Sequence, residues 1–418
     1  MVKFFLSLIF SLSIIFTNVS ANVSAQENKS KDPKIYGEAY VVVDGDTNEV
    51  ILGKNVDVKM YPASTTKLIT AILLAEHKKP TDNLVFTQGA KQMPEYSVNL
   101  NYFPMKVGQE LSADFVMKSI LIFSANDMAQ VVADNLSQLL NKPFEQIMSE
   151  KLQQLGIKNT NFKNAVGLHN EDHYSTAYDL AILLKEALKY PWIEEVIGTK
   201  QTTVTLPDGS LIIYENSNKL LGTEGMIGGK TGYTSRAGRT LVGAFEFEGK
   251  RYFITVLKSI YDSEDKYVFE DMLNLATIGK NVQKTLLYKN GSVYPEPVTV
   301  EYKLFGFFGP KKVAETHAIL KQDVYIYDNE YNKDNIKTQV TLNDNINIFN
   351  SKNKTLGVLK VSISDYEQSY DVTVNIFDII KDNLYIYIAV MVIIILLLIL
   401  IIFLFTKILG SKKNKRIW

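Results

Sequence analysis

Residues 61–67 read Tyr-Pro-Ala-Ser-Thr-Thr-Lys, and they open an apolar helical pattern that runs from about residue 64 to residue 79. Pro62 suits the first turn of such a helix, where a backbone N–H has no partner within the helix. Ser64 and Lys67 are three residues apart, so they share one face of the helix. A lysine that is partly desolvated there can have its pKa lowered enough to act as a base toward a serine hydroxyl.

Two further motifs make the pairing of this serine and lysine a more specific signal. Ser-x-x-Lys alone is about what chance supplies, because it also occurs at residues 263–266 and 351–354. Here, however, Ser-Ala-Asn follows at residues 124–126 between helical segments, and the chain's only Lys-Thr-Gly follows at residues 230–232 in a strand-like segment. The order Ser-x-x-Lys, Ser-x-Asn, Lys-Thr-Gly is the signature of penicillin-binding proteins and class A β-lactamases. The sequence resembles that superfamily.

Within the superfamily, the sequence is most similar to the low-molecular-mass penicillin-binding proteins that are D-alanyl-D-alanine carboxypeptidases, serine peptidases of the S11 type. The resemblance extends from about Tyr36 to Leu287 and includes Gly-Leu at residues 167–168 and His-Tyr-Ser-Thr-Ala at residues 173–177. It implies a DD-peptidase/β-lactamase-like catalytic domain with a central antiparallel sheet and a helical block, an α/β or α+β fold. It also implies the order signal peptide, catalytic domain, β-rich domain and C-terminal membrane anchor.

The resemblance implies a role for each motif residue in acyl transfer. Ser64 would be the acylated nucleophile and Lys67 its base, while Ser124 would relay a proton to or from the leaving group. Asn126 would bind the substrate amide and hold Lys67. Lys230 and Thr231 would receive the terminal carboxylate. The backbone N–H of Tyr233, just past Gly232, would form the oxyanion hole together with the backbone N–H of Ser64. Many relatives carry another residue at position 233. That change keeps the backbone donor, but the side chain can alter access to the site.

The chemistry of the residues supports these roles independently. Acyl transfer needs a nucleophile, a proton acceptor and donors aimed at the developing oxyanion. A peptide that ends in a free carboxylate needs a nearby cation, which Lys230 supplies. Glycines at positions 228, 229 and 232 allow a substrate backbone to approach the strand closely. His173, in contrast, is expected to be a structural histidine with satisfied hydrogen bonds, and catalysis is a minor option for it.

The overall composition argues against several other classes of protein. The chain has 418 residues, with 45 Lys and Arg against 45 Asp and Glu, and this zero net charge argues against a nucleic-acid binder. The absence of cysteine excludes disulfide scaffolds, thiolate zinc sites and cysteine nucleophiles. A histidine metal cage would be thinly supplied, so neither a metal nor another cofactor is expected; the four histidines are His77, His169, His173 and His317.

The N-terminal segment has the order of a secretory signal peptide. A positive charge precedes an apolar run at residues 4–16, and small residues follow, so cleavage after Ala21 or Ala25 would fit. The apolar run is short for a membrane span, which leaves an uncleaved anchor as the second possibility. We therefore expect residues 1–25 to be a signal peptide and the polar residues 26–35 to be a flexible lead-in.

The C-terminal segment predicts a single membrane anchor. Residues 385–406 contain no charged side chain and are long enough to cross a bilayer as one helix. Five of the residues at positions 407–418 are basic, and the positive-inside tendency places this tail in the cytoplasm. The rest of the chain would then lie outside the cytoplasmic membrane.

Between these ends, the sequence pattern divides the chain into two domains. Residues 36–287 are expected to form the catalytic domain, with β-rich runs near both ends, helical patterns from about 64 to 190, and a last helical pattern over residues 263–287. Residues 288–378 carry short β-branched and aromatic runs separated by turns. This second region predicts a small all-β domain that serves mainly as a spacer between the first domain and the membrane.

These observations predict a membrane-anchored serine-type D-Ala-D-Ala carboxypeptidase that acts on peptidoglycan pentapeptide stems and is acylated by penicillins. Transpeptidation through the same acyl-enzyme remains open, because an amine can replace water as the attacking group. A β-lactamase of class A is disfavoured, since the loop that contains Glu171 and Asp172 has no Glu-x-x-x-Asn pattern. A membrane-bound protein without catalysis is also disfavoured, because it would not need the complete set of motif residues.

Overall fold

The computed structural model describes residues 34–103, 105–306, 308–344, 346, 354–363 and 366–413. The predicted signal peptide and residues 26–33 of the predicted lead-in lie outside the described residues. Ile35, which the sequence pattern assigned to the lead-in, packs against buried residues of the sheet and α8, the helix at Lys266–Asn281. The backbone N–H of Tyr36 donates to the carboxylate of Asp271 on that helix. The start of the described chain is therefore tied to the first domain.

The part of the chain that the sequence pattern assigns to the first domain is built on a five-stranded antiparallel sheet with the strand order β2-β1-β9-β8-β7. Its strands come from both ends of this part of the chain, as the sequence pattern predicted, and two further two-stranded sheets lie apart from it. The strands are β1 (Ala39–Asp44), β2 (Val50–Lys54), β3 (Asn83–Val85), β4 (Glu110–Ser112), β5 (Gln201–Thr205), β6 (Leu211–Glu215), β7 (Met226–Thr234), β8 (Gly238–Phe247) and β9 (Lys250–Ser259).

Helices cover both faces of this sheet. Successive side chains of a strand point to opposite faces, and Val41 and Val43 accordingly pack into the core under the helical block, whereas Val42 packs toward α8. The helices are α1 (Lys67–His77), α2 (Gln88–Lys91), α3 (Ala113–Lys118), α4 (Asn126–Leu140), α5 (Phe144–Gln154), α6 (Ala177–Ala187), α7 (Pro191–Ile197) and α8 (Lys266–Asn281). Helix α1 is buried from Lys67 to Leu74, which makes it the central helix of the block.

Two predicted helices end differently in the structure. Apolar periodicity in the sequence predicts a helix over residues 112–122, but in the structure this helix ends at Lys118 and a π-helical turn follows at Ser119–Phe123. The helix predicted to run to residue 287 ends at Asn281, and Thr285–Tyr288 is a strand. A short apolar run such as this suits a helix or a strand equally well by periodicity, and here its pairing with a strand of the next domain decides the outcome.

The second region contains a five-stranded antiparallel sheet with the order β11-β12-β16-β15-β14 and a two-stranded sheet of β10 and β13. Alternate side chains of β15 are buried, as expected for a sheet that covers one core with one face. The elements are β10 (Thr285–Tyr288), β11 (Val293–Lys303), β12 (Lys311–Leu320), β13 (Val324–Ile326), α9 (Glu330–Asn335), β14 (Ile336–Leu342), β15 (Gly357–Ile363), β16 (Tyr366–Val374) and α10 (Ile376–Lys381).

A polar junction joins the two regions. The buried carboxylate of Asp44 accepts hydrogen bonds from the hydroxyl of Tyr327 at 2.7 Å and lies 2.6 Å from the Nζ of Lys250. Next to it, the side-chain amide of Asn332 donates to the carbonyl of Val50 at 2.8 Å. Because these bonds satisfy buried polar groups across the junction, the second region is held against the hairpin of β1 and β2.

The last helix is α11 (Leu384–Lys413). Its segment Leu384–Ile408 is long and apolar enough to cross a membrane, and the most apolar stretch of this segment is not buried against the rest of the described chain. The span predicted at residues 385–406 lies within it. The helix continues into the predicted basic tail as far as Lys413, and residues 414–418 lie outside the described residues.

Candidate active site

The predicted nucleophile lies in a tight turn that leads into α1. Ser64 belongs to a 3-10 turn at Ala63–Thr66, and Ala63 has a φ of +50°, a left-handed conformation that few non-glycine residues adopt. The hydroxyl of Thr66 donates to the carbonyl of Ala63 at 2.8 Å. A side chain at Gly167 would lie 1.9 Å from the same carbonyl oxygen, so only glycine permits this approach. The turn is thus fixed from two sides.

Lys67 brings its amine to the nucleophile from the first turn of α1. Its Nζ lies 3.0 Å from the Oγ of Ser64, 2.6 Å from the Oδ1 of Asn126 and 2.9 Å from the carbonyl of Val166. The side chain is fully buried. These contacts fix the direction of the amine, and the sequence spacing of three residues accounts for the first of them.

Ser124 and Asn126 lie where the π-helical turn gives way to α4. Ser124 has a φ of +69°, which ends the turn and allows α4 to begin at Asn126. The backbone N–H of Asn126 donates to the carbonyl of Val98 at 2.7 Å. Non-glycine residues in the left-handed region cost free energy and cluster at functional sites. The chain therefore turns abruptly between Ser124 and Asn126, and the two side chains point toward Lys67 and β7.

Lys230, Thr231 and Gly232 lie on β7, which forms one edge of the sheet. The buried Nζ of Lys230 donates to the Oγ of Ser124 at 2.8 Å and to the carbonyl of Thr231 at 3.1 Å. A Cβ on Gly232 would lie 2.8 Å from the backbone nitrogen of Ser64. The edge strand thus runs directly beside the turn that carries Ser64, and glycine is needed there for the close approach.

The two lysines have strongly perturbed acid–base properties. Burial, together with the positive charge of Lys230, lowers the pKa of Lys67 well below its usual range, while the carboxylate of Asp127 acts in the opposite direction. Burial lowers the pKa of Lys230 to about 7. Burial also raises the pKa of Asp127 to about 6. A lysine whose amine is neutral near neutral pH can accept a proton from a serine hydroxyl.

A cleft of about 590 Å³ opens over Ser64. Tyr233 forms part of its wall, and the ring of Tyr233 stacks on Tyr261 with a centroid distance of 4.7 Å. The guanidinium of Arg239 lies 4.6 Å from the Tyr233 ring centre, so this wall is held in place. The cleft is lined by Ser64, Tyr96, Ser97, Val98, Asn126, Val166, Gly167, Leu168, His169, Tyr233, Thr234 and Ser235.

The structure thus brings the predicted site residues together around one turn and one strand edge. Side chains of Ser64, Lys67 and Asn126 form one hydrogen-bonded group, and those of Ser124 and Lys230 form a second. The backbone at 232–233 adjoins the first group, and Thr231 lies beside Lys230. Among the described residues, His, Asp and Glu side chains do not gather in threes as a metal site requires.

His173 has a supporting position behind the nucleophile turn, as a structural histidine would. Its Nδ1 accepts the backbone N–H of Lys163 at 2.9 Å, so in the neutral ring Nε2 carries the proton and donates to the Oγ1 of Thr66 at 2.8 Å. Burial lowers the pKa of His173 to about 4, which keeps the ring neutral. The hydroxyl of Thr66 in turn donates to the carbonyl of Ala63, so hydrogen bonds connect His173 to the nucleophile turn.

Sequence reasoning missed two contacts of the site. The Oγ of Ser217 lies 2.5 Å from the Oγ1 of Thr231, although no motif marks Ser217. The side-chain oxygen of Asn164 accepts the backbone N–H groups of Val166 and Gly167, which shapes the loop beside Lys67. An Asn two or three residues before a glycine is a weak signal for such a turn, and it could have been noted.

The chain matches known proteins over this region. Residues 26–260, more than half of the chain, match a family model described as D-alanyl-D-alanine carboxypeptidase. D-alanyl-D-alanine carboxypeptidase DacF of Bacillus subtilis is 30% identical over 273 residues, which cover 63% of this chain and 69% of that protein. A D-alanyl-D-alanine endopeptidase of Escherichia coli is 29% identical over 277 residues, which cover 65% of this chain and 86% of that protein.

A solved structure is also similar to a large part of the chain. Penicillin-binding protein D2 of Listeria monocytogenes, in its cefotaxime-bound form, matches with a TM-score of 0.52 and 27% identity, over 60% of this chain and 99% of that chain. This likeness confirms the penicillin-binding-protein fold that the three motifs implied.

Proposed function

The chain belongs to the D-alanyl-D-alanine carboxypeptidases, a family of serine-type peptidases, and we propose that it removes the terminal D-alanine of peptidoglycan pentapeptide stems through an acyl-enzyme on Ser64. The observation that carries this assignment of Ser64 is the buried amine of Lys67, which lies 3.0 Å from its Oγ. A nucleophile beside a base that is itself held by a third group is the arrangement that covalent catalysis requires.

In the acylation step, the neutral amine of Lys67 takes the proton of the Ser64 hydroxyl. The Oγ then forms a bond to the carbonyl carbon of the penultimate D-alanine. The developing oxyanion is stabilised by the backbone N–H groups of Ser64 and Tyr233. As the C–N bond breaks, Ser124 relays to the departing amine of the terminal D-alanine the proton that Lys67 took from Ser64, so Lys67 is neutral again; the hydroxyl of Ser124 is oriented by its bond to the amine of Lys230. Free D-alanine leaves and the shortened peptide remains esterified to Ser64.

In the deacylation step, a water molecule attacks the ester carbonyl. Its proton passes to the neutral amine of Lys67, which returns a proton to the Ser64 oxygen as the C–O bond to Ser64 breaks. The Ser64 oxygen recovers its proton and the shortened peptide leaves with a free carboxyl group. Since no protein group is consumed, the same lysines serve both steps.

The substrate's terminal carboxylate is held at β7. Lys230 provides a positive charge and Thr231 a hydroxyl, and Ser217 lies 2.5 Å from the Oγ1 of Thr231. Because β7 is an edge strand, the substrate backbone can align beside it as an added strand. Asn126 would then bind the substrate amide while it also holds Lys67.

We place the catalytic domain outside the cytoplasmic membrane. Within the described part of the chain, Leu384–Ile408 is the one candidate membrane-spanning helix, and the basic residues that follow favour the cytoplasm for the C-terminal tail. The predicted signal peptide agrees with this orientation. β-Lactams would acylate Ser64 as covalent inhibitors, in keeping with the cefotaxime-bound form of the Listeria relative.

The other acyl-enzyme activities differ in the attacking or leaving group. Transpeptidation needs an amine in place of water, and the Escherichia coli relative is named an endopeptidase. A cavity of about 600 Å³ beside the cleft shares Ser97 with it and would give room to a longer acceptor. β-Lactamase action is less well supported, because Glu171 is bonded to Tyr61 and His169 at the rim.

The test is intact-protein mass spectrometry after incubation with benzylpenicillin, with release of D-alanine from a D-Ala-D-Ala peptide assayed in parallel. We expect a stable adduct and D-alanine release from the wild type, and neither from Ser64→Ala. Ser263→Ala, in the exposed Ser-x-x-Lys at residues 263–266, is the matched control and should behave as the wild type. An adduct that disappears within seconds would indicate a β-lactamase, and an adduct on Ser64→Ala would overturn the assignment of the nucleophile.

A further inference from the structure

One end of the second region presents aromatic side chains beside the start of α11. The loop at residues 304–310 joins β11 to β12, and Phe307 within it lies outside the described residues. The ring of Phe305 stacks on that of Phe308 at 5.1 Å, and the backbone N–H of Phe305 donates to the carbonyl of Phe308. Phe308 is nevertheless 55% exposed. Phe305 and Phe308 therefore form a stacked aromatic pair in which Phe308 faces solvent.

This loop is bonded to the first turns of α11. The hydroxyl of Tyr387 donates to the carbonyl of Leu304 at 2.8 Å, and the rings of Tyr387 and Phe305 meet edge to face at 6.3 Å. In addition, the side-chain amide of Asn383 donates to the hydroxyl of Tyr302 at the end of β11. The position of the loop along the axis of α11 is thus fixed at Tyr387.

The length of α11 sets the depth of Tyr387 in a bilayer. A hydrocarbon core of about 30 Å is spanned by about 20 helical residues. Lys407 is the first charged side chain toward the C-terminal end of the span, and about 20 residues before it the helix reaches Tyr387. Tyrosine rings concentrate at the boundary between hydrocarbon and headgroups. The loop, being bonded to Tyr387, would lie at the same level.

Further aromatic side chains are exposed at this end of the region. Phe377 on α10 is 66% exposed and Tyr385 on α11 is 69% exposed. Exposed aromatic clusters of this kind mark interaction surfaces on soluble domains. The segments that flank these rings carry little net charge, since they contain three carboxylates (Glu301, Asp378 and Asp382) and four lysines (Lys303, Lys311, Lys312 and Lys381). Lys311 lies near Glu301 and Lys381 near Asp378. The surface is therefore apolar and not strongly basic.

We propose that the aromatic side chains of Phe305 and Phe308, between β11 and β12, insert into the outer interfacial layer of the membrane, next to the point where α11 enters it. This inference rests on the proposed membrane-spanning role of α11. The second region would then contact the bilayer at the loop as well as through the helix. Since the polar junction of Asp44 and Tyr327 ties that region to the first domain, the two contacts would limit how the active-site cleft can tilt above the membrane.

The absence of cysteine from the chain allows a direct test with spin labels. Phe308→Cys and Phe377→Cys each introduce one thiol on the proposed surface. Leu139→Cys is the matched control, because Leu139 on α4 is 56% exposed but lies in the helical block. The full-length chain is reconstituted into vesicles of phosphatidylcholine, with and without phosphatidylglycerol. Collision of each label with oxygen, which partitions into lipid, is compared with collision with a water-soluble nickel complex.

We expect an oxygen-to-nickel collision ratio several-fold higher at positions 308 and 377 than at position 139, and equal in both kinds of vesicle. Carbonate extraction of the same vesicles tests the anchor separately. Extraction of the chain would overturn the membrane-spanning role of α11 and, with it, this inference. A chain that resists extraction but shows the same low ratio at all three positions would overturn the loop contact alone. A high ratio only with phosphatidylglycerol would contradict the apolar character proposed for the surface.

Discussion

The Nζ of Lys67 lies 3.0 Å from the Oγ of Ser64, and the lysine side chain has no exposure to solvent. Burial and the nearby charge of Lys230 lower the pKa of Lys67 well below its usual range. The same burial lowers the pKa of Lys230 to about 7. The proposed mechanism needs Lys67 neutral and Lys230 charged. The lowered pKa values of the two lysines therefore decide how the rate should depend on pH.

We expect kcat/KM for a D-Ala-D-Ala peptide to follow a bell-shaped pH profile. As pH falls through the lowered pKa of Lys67, the amine gains a proton and kcat/KM decreases. As pH rises through about 7, Lys230 loses the charge that binds the carboxylate, and kcat/KM decreases again. A bound carboxylate raises the pKa of Lys230, so the basic limb of kcat should lie at higher pH than that of kcat/KM. A level profile across this range would contradict the prediction.

Lys67→Arg should slow acylation by about 10²–10⁴-fold, the usual contribution of a general base. Arginine is permanently charged and does not lose its proton in proteins, so it cannot accept one from Ser64. The measurement is the second-order rate constant for acylation by a fluorescent penicillin. Lys266→Arg changes the lysine of the exposed Ser-x-x-Lys and should leave that rate unaltered. Similar rates for Lys67→Arg and the wild type would remove Lys67 from the role of base.

Gly232→Ala should reduce acylation by about 10²–10³-fold, the effect of losing one oxyanion donor. The added Cβ would lie 2.4 Å from the Oγ1 of Thr240 and 2.8 Å from the backbone nitrogen of Ser64, so β7 must move away from the turn. Gly243→Ala on β8 is the control, since its Cβ would meet only the flexible ends of Met226 and Met272. Acylation is followed as before, and equal rates in both variants would show that the close approach is unimportant.

Ser217→Ala should raise KM about five-fold with little change in kcat, because one hydrogen bond contributes about 1 kcal/mol. Ser217 lies 2.5 Å from the hydroxyl oxygen of Thr231 and would direct it toward the substrate carboxylate. The effect should be absent for a peptide whose C-terminus is amidated. Ser210→Ala, in the turn before β6, serves as the control. An equal change in KM for both peptides would mean that Ser217 acts on the fold and not on carboxylate binding.

The motif residues could be placed from the sequence because their positions follow from local rules. Three-residue spacing places Lys67 beside Ser64, and the β-rich pattern around Lys230 predicts a strand. The left-handed φ of Ser124 could not be predicted, since it depends on the π-helical turn packing beneath it. Ser217 is joined to the site by tertiary contact with Thr231 and carries no pattern of its own.

The division of the chain was less predictable than the site. The run Leu286–Leu287 completes a helical pattern in the sequence, but the structure places it in β10 paired with β13. That pairing joins residues 36 to 41 positions apart, and no local stretch of sequence contains both strands. The polar junction is hidden for the same reason, because Asp44 and Tyr327 are distant in sequence and each alone is an ordinary turn or strand residue.

The junction gives a prediction about stability. Burial alone would raise the pKa of Asp44, but its hydrogen bonds with Lys250 and Tyr327 lower it below its ordinary value. A carboxylate with a lowered pKa stabilises the fold above its unfolded pKa of about 3.9, and this contribution is lost as pH falls through the folded value. Tyr327→Phe removes one of these bonds and should lower the free energy of unfolding by about 1.5–3 kcal/mol at neutral pH.

The comparison is made by urea unfolding of the detergent-solubilised full chain. Tyr325→Phe is the matched control, since the Tyr325 hydroxyl is bonded to Asp323 at the surface and its loss should change the free energy by less than about 0.5 kcal/mol. The difference between the wild type and Tyr327→Phe should shrink as the solution is acidified, because a protonated Asp44 is a weaker acceptor. A difference that is equal for both tyrosines, or that does not change with pH, would show that the charge of Asp44 does not hold the two regions together.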